Sequence, residues 1–446
     1  MNSTRAAIIA ALFACMGTPA GAQLPPAAGS PSTPAAPTGT LPGGVAYELR
    51  PDPGQSAAAI ALWYRAPSGG FSSPAIPGLS RLAAATVAAS TPITGTPLSV
   101  LVSRAGGRLS VEAYADSVAI TAVVPPDRAA ATLRAMTGDY FTPVVTETGL
   151  QAGLADSSDD ALLRSFGPDA IEDALGAALF SGGPLHDGLI GTSTTLAEQK
   201  LDAVRAFAAR AFRPGNAILI LTGNIDAGAL SGVVTRAGPP GDMTPEPSAS
   251  ELPRTPPAAR SVDANIAGTG LAWVGPPIAD EASATSLDFL ADYLFAPKTG
   301  AIAKALGTRK AVVTGKFVTY HNPGIFVVTI SGDDAVAARP IVDRTIAAAT
   351  TPLPAAAFST ARAAFVYHLL QQMDTPSELS DTYGWYAVEG DPLYAPAEGG
   401  MQGRYFRLVA GLTPAALART ATKFLGAAPA VVTLNHHETT QRSSGS

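Results

Sequence analysis

The stretch that decides the reading of this chain is GLSRLAAATV, Gly78 to Val87, preceded by Pro77. Pro77 and Gly78 form a breaker pair, and good helix formers follow with no internal Gly or Pro, so a helix starts here. On that helix, positions 81 and 85 lie one turn apart on one face, and position 84 flanks the second of them. The spacing suits a zinc site of the form His-x-x-Glu-His, where two imidazoles bind metal and the carboxylate draws a proton from bound water. The residues present are Arg81, Ala84 and Ala85. None offers a lone pair, and the one charge has the wrong sign for a metal.

The surroundings of this helix resemble the pitrilysin/insulinase family of zinc metallopeptidases, whose members carry a Gly-Leu-Ala-His-x-x-Glu-His segment after a short strand and a turn. Here the strand is IALWYR, Ile60 to Arg65, and the turn is the Pro/Gly/Ser-rich run from Ala66 to Pro77. Gly78 and Leu79 match the segment, while its ligands are absent. The resemblance extends over most of the chain and is similar to the small members built of two halves. It implies an α+β fold, each half a mixed β-sheet with helices packed on one face, the halves facing each other across a chamber. It also implies that such chains pair, one supplying zinc while the other is inactive.

Composition is consistent with this size of fold. The chain has 446 residues, of which 47% are hydrophobic and 14% charged, enough apolar material for a sizeable core. Formal net charge is −6 and the Lys and Arg residues are scattered, which argues against nucleic acid as a partner. Residues 1–22 read as a signal peptide: Arg5, an apolar run from Ala6 to Met16, then Ala20-Gly21-Ala22. That run is too short to span a bilayer, and no other stretch is long enough, so no membrane span is expected. Cys15 is the only cysteine, and Leu12-Phe13-Ala14-Cys15 fits a lipid-attachment site poorly, so cleavage and export to the periplasm are the preferred expectation.

Residues 23–43 read as a disordered leader, 44–236 as the N-terminal half, 237–259 as a Pro-rich linker, 260–438 as the C-terminal half and 439–446 as a tail. In the first half, the runs VAYELR and IALWYR are strands, and LSVEAYADSVAITAVV (Leu109 to Val124) reads as a hairpin broken near Asp116. Helices are expected over Asp127 to Tyr140, Leu150 to Leu163, Pro168 to Leu179 and Thr195 to Phe212, and a strand over Ala217 to Thr222. The order then recurs. GLAWVGPP at Gly270 to Pro277 echoes IALWYRAP, and a helix from Ala282 to Phe295 takes the place of the one at Gly78. Paired strands at Ala311 to Tyr320 and Gly324 to Ser331, a helix from Pro376 towards Gly390, and Pro414 to Leu425 before Ala430 to Leu434 complete the echo. Two halves of roughly 190 residues are ordinary domain sizes.

The candidate sites are few. None of the five histidines (His186, His321, His368, His436, His437) forms a His-x-x-Glu-His or His-Glu-x-x-His pair. The resemblance implies a third metal ligand, a Glu on a later helix, and the nearest match by order is the run Asp156, Asp159, Asp160, whose own pattern is that of a solvated helix face. It also implies an Arg and a Tyr in the C-terminal half that grip substrate main chain. Alignment puts Gly307 and Thr314 there, with Arg309 and Tyr320 close by but out of spacing. Either substitutes for the clamp, or they are a surface Arg and a strand Tyr. The strand from Gly106-Gly107-Arg108 to Tyr114 corresponds to an open edge that holds an extended peptide, its glycines letting a foreign backbone approach; an ordinary hairpin turn accounts for them equally. His186 reads as loop packing and His436-His437-Glu438 as a solvated tail.

These residues lead to the expectation of a non-catalytic homologue, with no cofactor of its own. It would form part of the chamber and the peptide-binding surface beside a zinc-bearing sister subunit. The competing expectation is a stand-alone binding or assembly protein of the cell envelope. A hydrolase with an unrecognised nucleophile ranks third, since no Gly-x-Ser-x-Gly elbow or phosphate loop is present.

Overall fold

The computed structural model describes residues 38–71, 75–92, 95–233, 246, 250–321 and 323–436. The expected signal peptide, most of the leader, much of the linker and the tail from His437 onward lie outside the described residues.

Strands β1 (Thr38–Thr40), β2 (Ala46–Pro51), β3 (Ala58–Arg65), β4 (Arg108–Ala113), β5 (Ser117–Val124), β6 (Phe180–Gly182) and β7 (Ala217–Gly223) come first. Then follow β8 (Leu252–Pro253), β9 (Ala259–Ala264), β10 (Gly268–Val274), β11 (Val312–Val318), β12 (Ile325–Ser331) and β13 (Ala430–His436). The first half carries helices α1 (Leu79–Ala89), α2 (Leu98–Arg104), α3 (Ala129–Phe141), α4 (Glu147–Ser165), α5 (Asp169–Leu179), α6 (Pro184–Asp187), α7 (Ser193–Ala197) and α8 (Leu201–Ala211). The second carries α9 (Glu281–Phe295), α10 (Ala301–Leu306), α11 (Ala335–Ala348), α12 (Ala355–Gln371), α13 (Pro376–Glu389), α14 (Arg404–Gly411) and α15 (Pro414–Leu425).

Two mixed sheets form the framework of an α+β fold. The six-stranded sheet runs β1-β2-β7-β3-β5-β4 and the five-stranded one runs β11-β12-β10-β13-β9. Apart from β1, the two have the same plan. In each, one parallel pair (β2 with β7, β9 with β13) is followed by antiparallel neighbours out to an edge strand, β4 or β11. The echo of IALWYRAP in GLAWVGPP is therefore structural: β3 and β10 occupy equivalent central places.

The two halves also exchange a helix. From the first half, α5 packs on β10 and β13 of the second sheet, and from the second, α13 packs on β3 and β7 of the first. Each sheet thus has its own helices on one face and a borrowed helix on the other. This explains why β3 is a continuous apolar run instead of an alternating one. Ile60, Leu62 and Tyr64 enter the core of the first half, while Ala61 and Trp63 point the other way and join the core of the second. Bare backbone permits both contacts. A Cβ on Gly270 would lie 2.4 Å from Ile171 of α5, and one on Gly384 of α13 would lie 1.9 Å from the Trp63 indole nitrogen.

Four local expectations need correction. Thr38–Thr40, placed in the leader, pairs with β2 as an edge strand. Within the linker, Leu252–Pro253 pairs with β6, and the Glu251 carboxylate accepts from the Leu185 amide at 2.8 Å, so proline content did not prevent ladder formation there. The helix expected over Thr195 to Phe212 is two helices, because a Thr192–Thr195 capping box starts one and extended Lys200 starts the next. His436 closes strand β13 and its Nδ1–H donates to the Asn265 carbonyl at 2.9 Å, so it is held by the sheet and is not part of a loose tail.

Candidate functional site

Helix α1 has no side-chain cap and is buried from Leu79 through Ala88, which is why its sequence lacks an amphipathic stripe. Its closest neighbour is α4, and the approach depends on small residues four apart on α4: Gly149, Gly153 and Ser157. A Cβ on Gly149 would meet Ser90 at 2.0 Å, and one on Gly153 would meet Thr86 at 2.7 Å. The third of these residues, Ser157, faces Arg81.

Arg81 is the one charged residue of α1 and is 7% exposed. Its Nη1 donates to Ser157 Oγ at 2.8 Å and its Nη2 to Asp156 Oδ2 at 3.2 Å, while Nε lies 3.4 Å from Asp160 Oδ2. The acidic run on α4 is therefore more than a solvated face: Asp156 and Asp160 neutralise a buried cation. The other two motif positions are inert, Ala84 offering only its carbonyl to the Tyr140 hydroxyl at 2.7 Å and Ala85 packing as a methyl. Among the described residues, no three His, Cys, Asp or Glu side chains come together in a group that would hold a metal ion. A divalent ion beside Arg81 would meet a like charge and no neutral nitrogen donor, so these residues do not fit zinc and no hydrolytic step is derived through it.

A cavity of about 380 Å³ opens from Arg81 into the space between the halves. One wall is edge strand β4, from Val111 to Ala113, with Tyr114 directly after it; the others come from α5 and from β11 and β12 of the second half. Its interior is apolar, with Leu175, Leu179, Val318 and Val327, and its charged groups occur as pairs. Besides the Arg81 pair, Arg164 lies 2.8 Å from Asp173, and Lys316 lies 2.7 Å from Glu172 of α5. The Arg81 and Lys316 pairs cross between elements distant in sequence, so no spacing rule could have announced them, whereas Arg164 and Asp173 join consecutive helices.

Of the candidate substrate-binding residues, the structure brings Tyr114 and Tyr320 together. Both line this cavity, and both rings contact Trp385 of α13, with centroids 4.8 Å and 5.6 Å away. Tyr114 also stacks on Trp63 at 5.5 Å. Burial, helped by nearby carboxylates, pushes both phenols well above their ordinary pKa, so they act as neutral donors. Gly106 and Gly107 are placed elsewhere. Gly106 has φ +75° and ends α2, and a Cβ on Gly107 would lie 2.6 Å from the Val123 carbonyl of the neighbouring strand. Neither makes room for a foreign backbone; helix termination and close strand packing explain both. Arg309 donates to the Leu306 carbonyl at 3.1 Å just after α10 and does not line the cavity, so it forms no clamp with Tyr320. His186 pairs with Asp187 at 2.8 Å within its loop.

Comparison with known proteins agrees with this geometry. Residues 200–365 match the family model described as the Peptidase M16 inactive domain. A protease from Helicobacter pylori shares the fold with a TM-score of 0.73 at 13% identity, over 90% of this chain and 99% of that one. The structure of a peptidase M16 inactive domain from Pseudomonas fluorescens gives 0.70 at 14% identity, over 90% and 97%. A chain of complex III2 from Candida albicans gives 0.70 at 13%, over 89% and 95%. No curated protein matches the sequence. The chain has the fold of the M16 peptidases, and the model that matches its residues 200–365 is that of the inactive domain.

Proposed function

We propose that this chain is an exported, periplasmic, non-catalytic subunit that forms part of the chamber and of the peptide-binding surface for a zinc-bearing sister subunit. Arg81 carries the proposal: the place of the metal's first imidazole holds a buried guanidinium already satisfied by Asp156, Ser157 and Asp160. Beside it, the cavity between the halves keeps an edge strand as one wall. Strand β4 is the terminal strand of its sheet, and an extended peptide added to such an edge gains main-chain hydrogen bonds while its side chains enter neighbouring pockets. The fold also occurs in a chain of complex III2, a multisubunit setting that supports a role in assembly.

The test is to mix the purified chain with an exported chain of similar size that carries an intact His-x-x-Glu-His. Co-elution on size exclusion together with a several-fold rise in peptide turnover is the expected result. Separate elution and unchanged turnover would contradict the proposal and favour a stand-alone envelope-binding protein.

A further inference from the structure

The turn between β4 and β5 carries Asp116, and α13 of the second half ends on Glu389. Asp116 is 4% exposed and Glu389 1%. Their carboxyls are hydrogen-bonded to each other, and among the described residues Oδ1 of Asp116 has no N–H or hydroxyl donor. Glu389 also accepts from the His321 amide at 3.0 Å and from Ser117 Oγ at 3.3 Å. The turn is tied back to its own half, where the amides of Ala66 and Ser68 donate to the carbonyls of Asp116 and Ala115 at 2.8 Å and 3.1 Å.

The charged and titratable groups facing this pair come from the elements around it. Arg65, at the end of β3, donates through Nε and Nη2 to the Val388 and Ala387 carbonyls, each at 3.1 Å. His321, after β11, has Nδ1 3.2 Å from the Glu389 carbonyl, which can only accept, and a neutral imidazole suffices for this bond. Tyr114 and Tyr320 bring neutral phenols, and Glu251 brings a further buried carboxyl whose Oε1 accepts from the Leu185 amide at 2.8 Å. One guanidinium therefore faces two touching carboxyls. Two such groups taken out of water cannot both ionise, so the pair keeps a proton. Burial, then the charge of Asp116, pushes Glu389 well above the ordinary carboxylate value, so Glu389 holds that proton and Asp116 accepts from it.

We propose that the Asp116–Glu389 pair is a proton-operated latch that holds the β4–β5 turn, and Tyr114 with it, against the end of α13. Tyr114 lines the cavity between the halves, and its ring meets Trp385, one turn before Glu389 on α13. Loss of the proton sets two carboxylates side by side away from water, and their repulsion is relieved when the turn moves off the helix. The closed latch keeps a proton that an open one releases near the ordinary carboxylate value, so it is closed in acid and opens as pH rises. The latch adds regulation to the cavity described above, but its contact is measured without peptide or sister chain, so its failure would leave the proposed function standing.

The test is hydrogen exchange of the full chain between pH 5 and 8, read by mass spectrometry and corrected for the intrinsic rate. Peptides holding the amides of Ala66, Ser68, Tyr114 and His321 should lose protection by about three- to ten-fold per pH unit, the slope that release of one proton sets, while peptides from α8 change less. Glu389→Gln can still donate to Asp116 and accept from His321 but does not titrate, so its slope should vanish, with thermal unfolding used to confirm that the variant is folded. Should it fail to fold, Asp116→Asn should still reduce the slope, because the repelling neighbour is gone. The slope should persist in Glu251→Gln, which leaves the pair in place. A slope absent from the parent, retained in Glu389→Gln or abolished by Glu251→Gln alone would overturn the latch.

Discussion

Nε of Arg81 lies 3.4 Å from Oδ2 of Asp160, across the close contact between α1 and α4. The pair is asymmetric: the Arg81 side chain is 9% exposed, whereas those of Asp156 and Asp160 are 63% and 23% exposed. Removing the cation leaves carboxylates that water can reach. Removing the carboxylates strands a cation that water cannot.

Stability should follow that asymmetry. Arg81→Met should cost about 1–2 kcal/mol, the loss of a few hydrogen bonds. Asp156→Asn combined with Asp160→Asn should cost about 3 kcal/mol or more, because a buried charge is left without its partners. Urea denaturation of both variants checks this, and the reverse order would show that Arg81 is not held by these carboxylates.

The exchanged helices make a second prediction. Gly384 has no room for a methyl group against Trp63, and the indole is wedged between sheet and helix. Gly384→Ala should therefore destabilise the whole chain by about 1–3 kcal/mol through overpacking. A thermal midpoint unchanged from that of the parent would mean that α13 does not seat on β3 as described.

A third prediction concerns independence of the halves. Each sheet needs a helix from the other half to cover its second face, so fragments 38–236 and 250–436 expressed separately should lack cooperative unfolding, and mixing them should restore it. Two fragments that each unfold cooperatively alone would contradict the exchange.

A good part of this was legible in the sequence. The repeat of IALWYRAP in GLAWVGPP located the central strand of each sheet, and the loss of ligands at positions 81, 84 and 85 was plain from residue type alone. The exchange of α5 and α13 was not, because a two-sided apolar strand has the same composition whether its second face is covered by its own half or by the other. The partners of Arg81 were visible as an acidic run but read as solvated, since spacing along α4 says nothing about which helix lies across from it. Gly106 and Gly107 misled for a related reason: a glycine pair marks a tight backbone position without saying whether helix termination, a neighbouring strand or a ligand requires it.

A fourth prediction is pH dependence centred on Glu251. Burial, reinforced by the charges of Asp116 and Asp187, raises its pKa from the ordinary carboxylate value to about 8. The folded state thus holds a proton that the unfolded chain releases near pH 4.5, so this group's stabilisation is fully present below that pH and is lost as pH rises towards 8. Glu251→Gln should flatten the fall in stability between pH 5 and 8 by roughly 2–4 kcal/mol. Parallel pH profiles of the two proteins in chemical denaturation measure it, and identical slopes would show that the carboxylate is ionised in the fold.

The most direct measurement of the central claim is titration of Zn²⁺ into the metal-stripped chain, with bound zinc counted after gel filtration and peptide turnover followed in the same sample. The account predicts well under about one tenth of a zinc per chain at the Arg81 helix and no turnover, because a neutralised guanidinium and two methyl groups hold no divalent ion. One tightly bound zinc per chain, or peptide cleavage by the isolated chain that depends on it, would contradict the account.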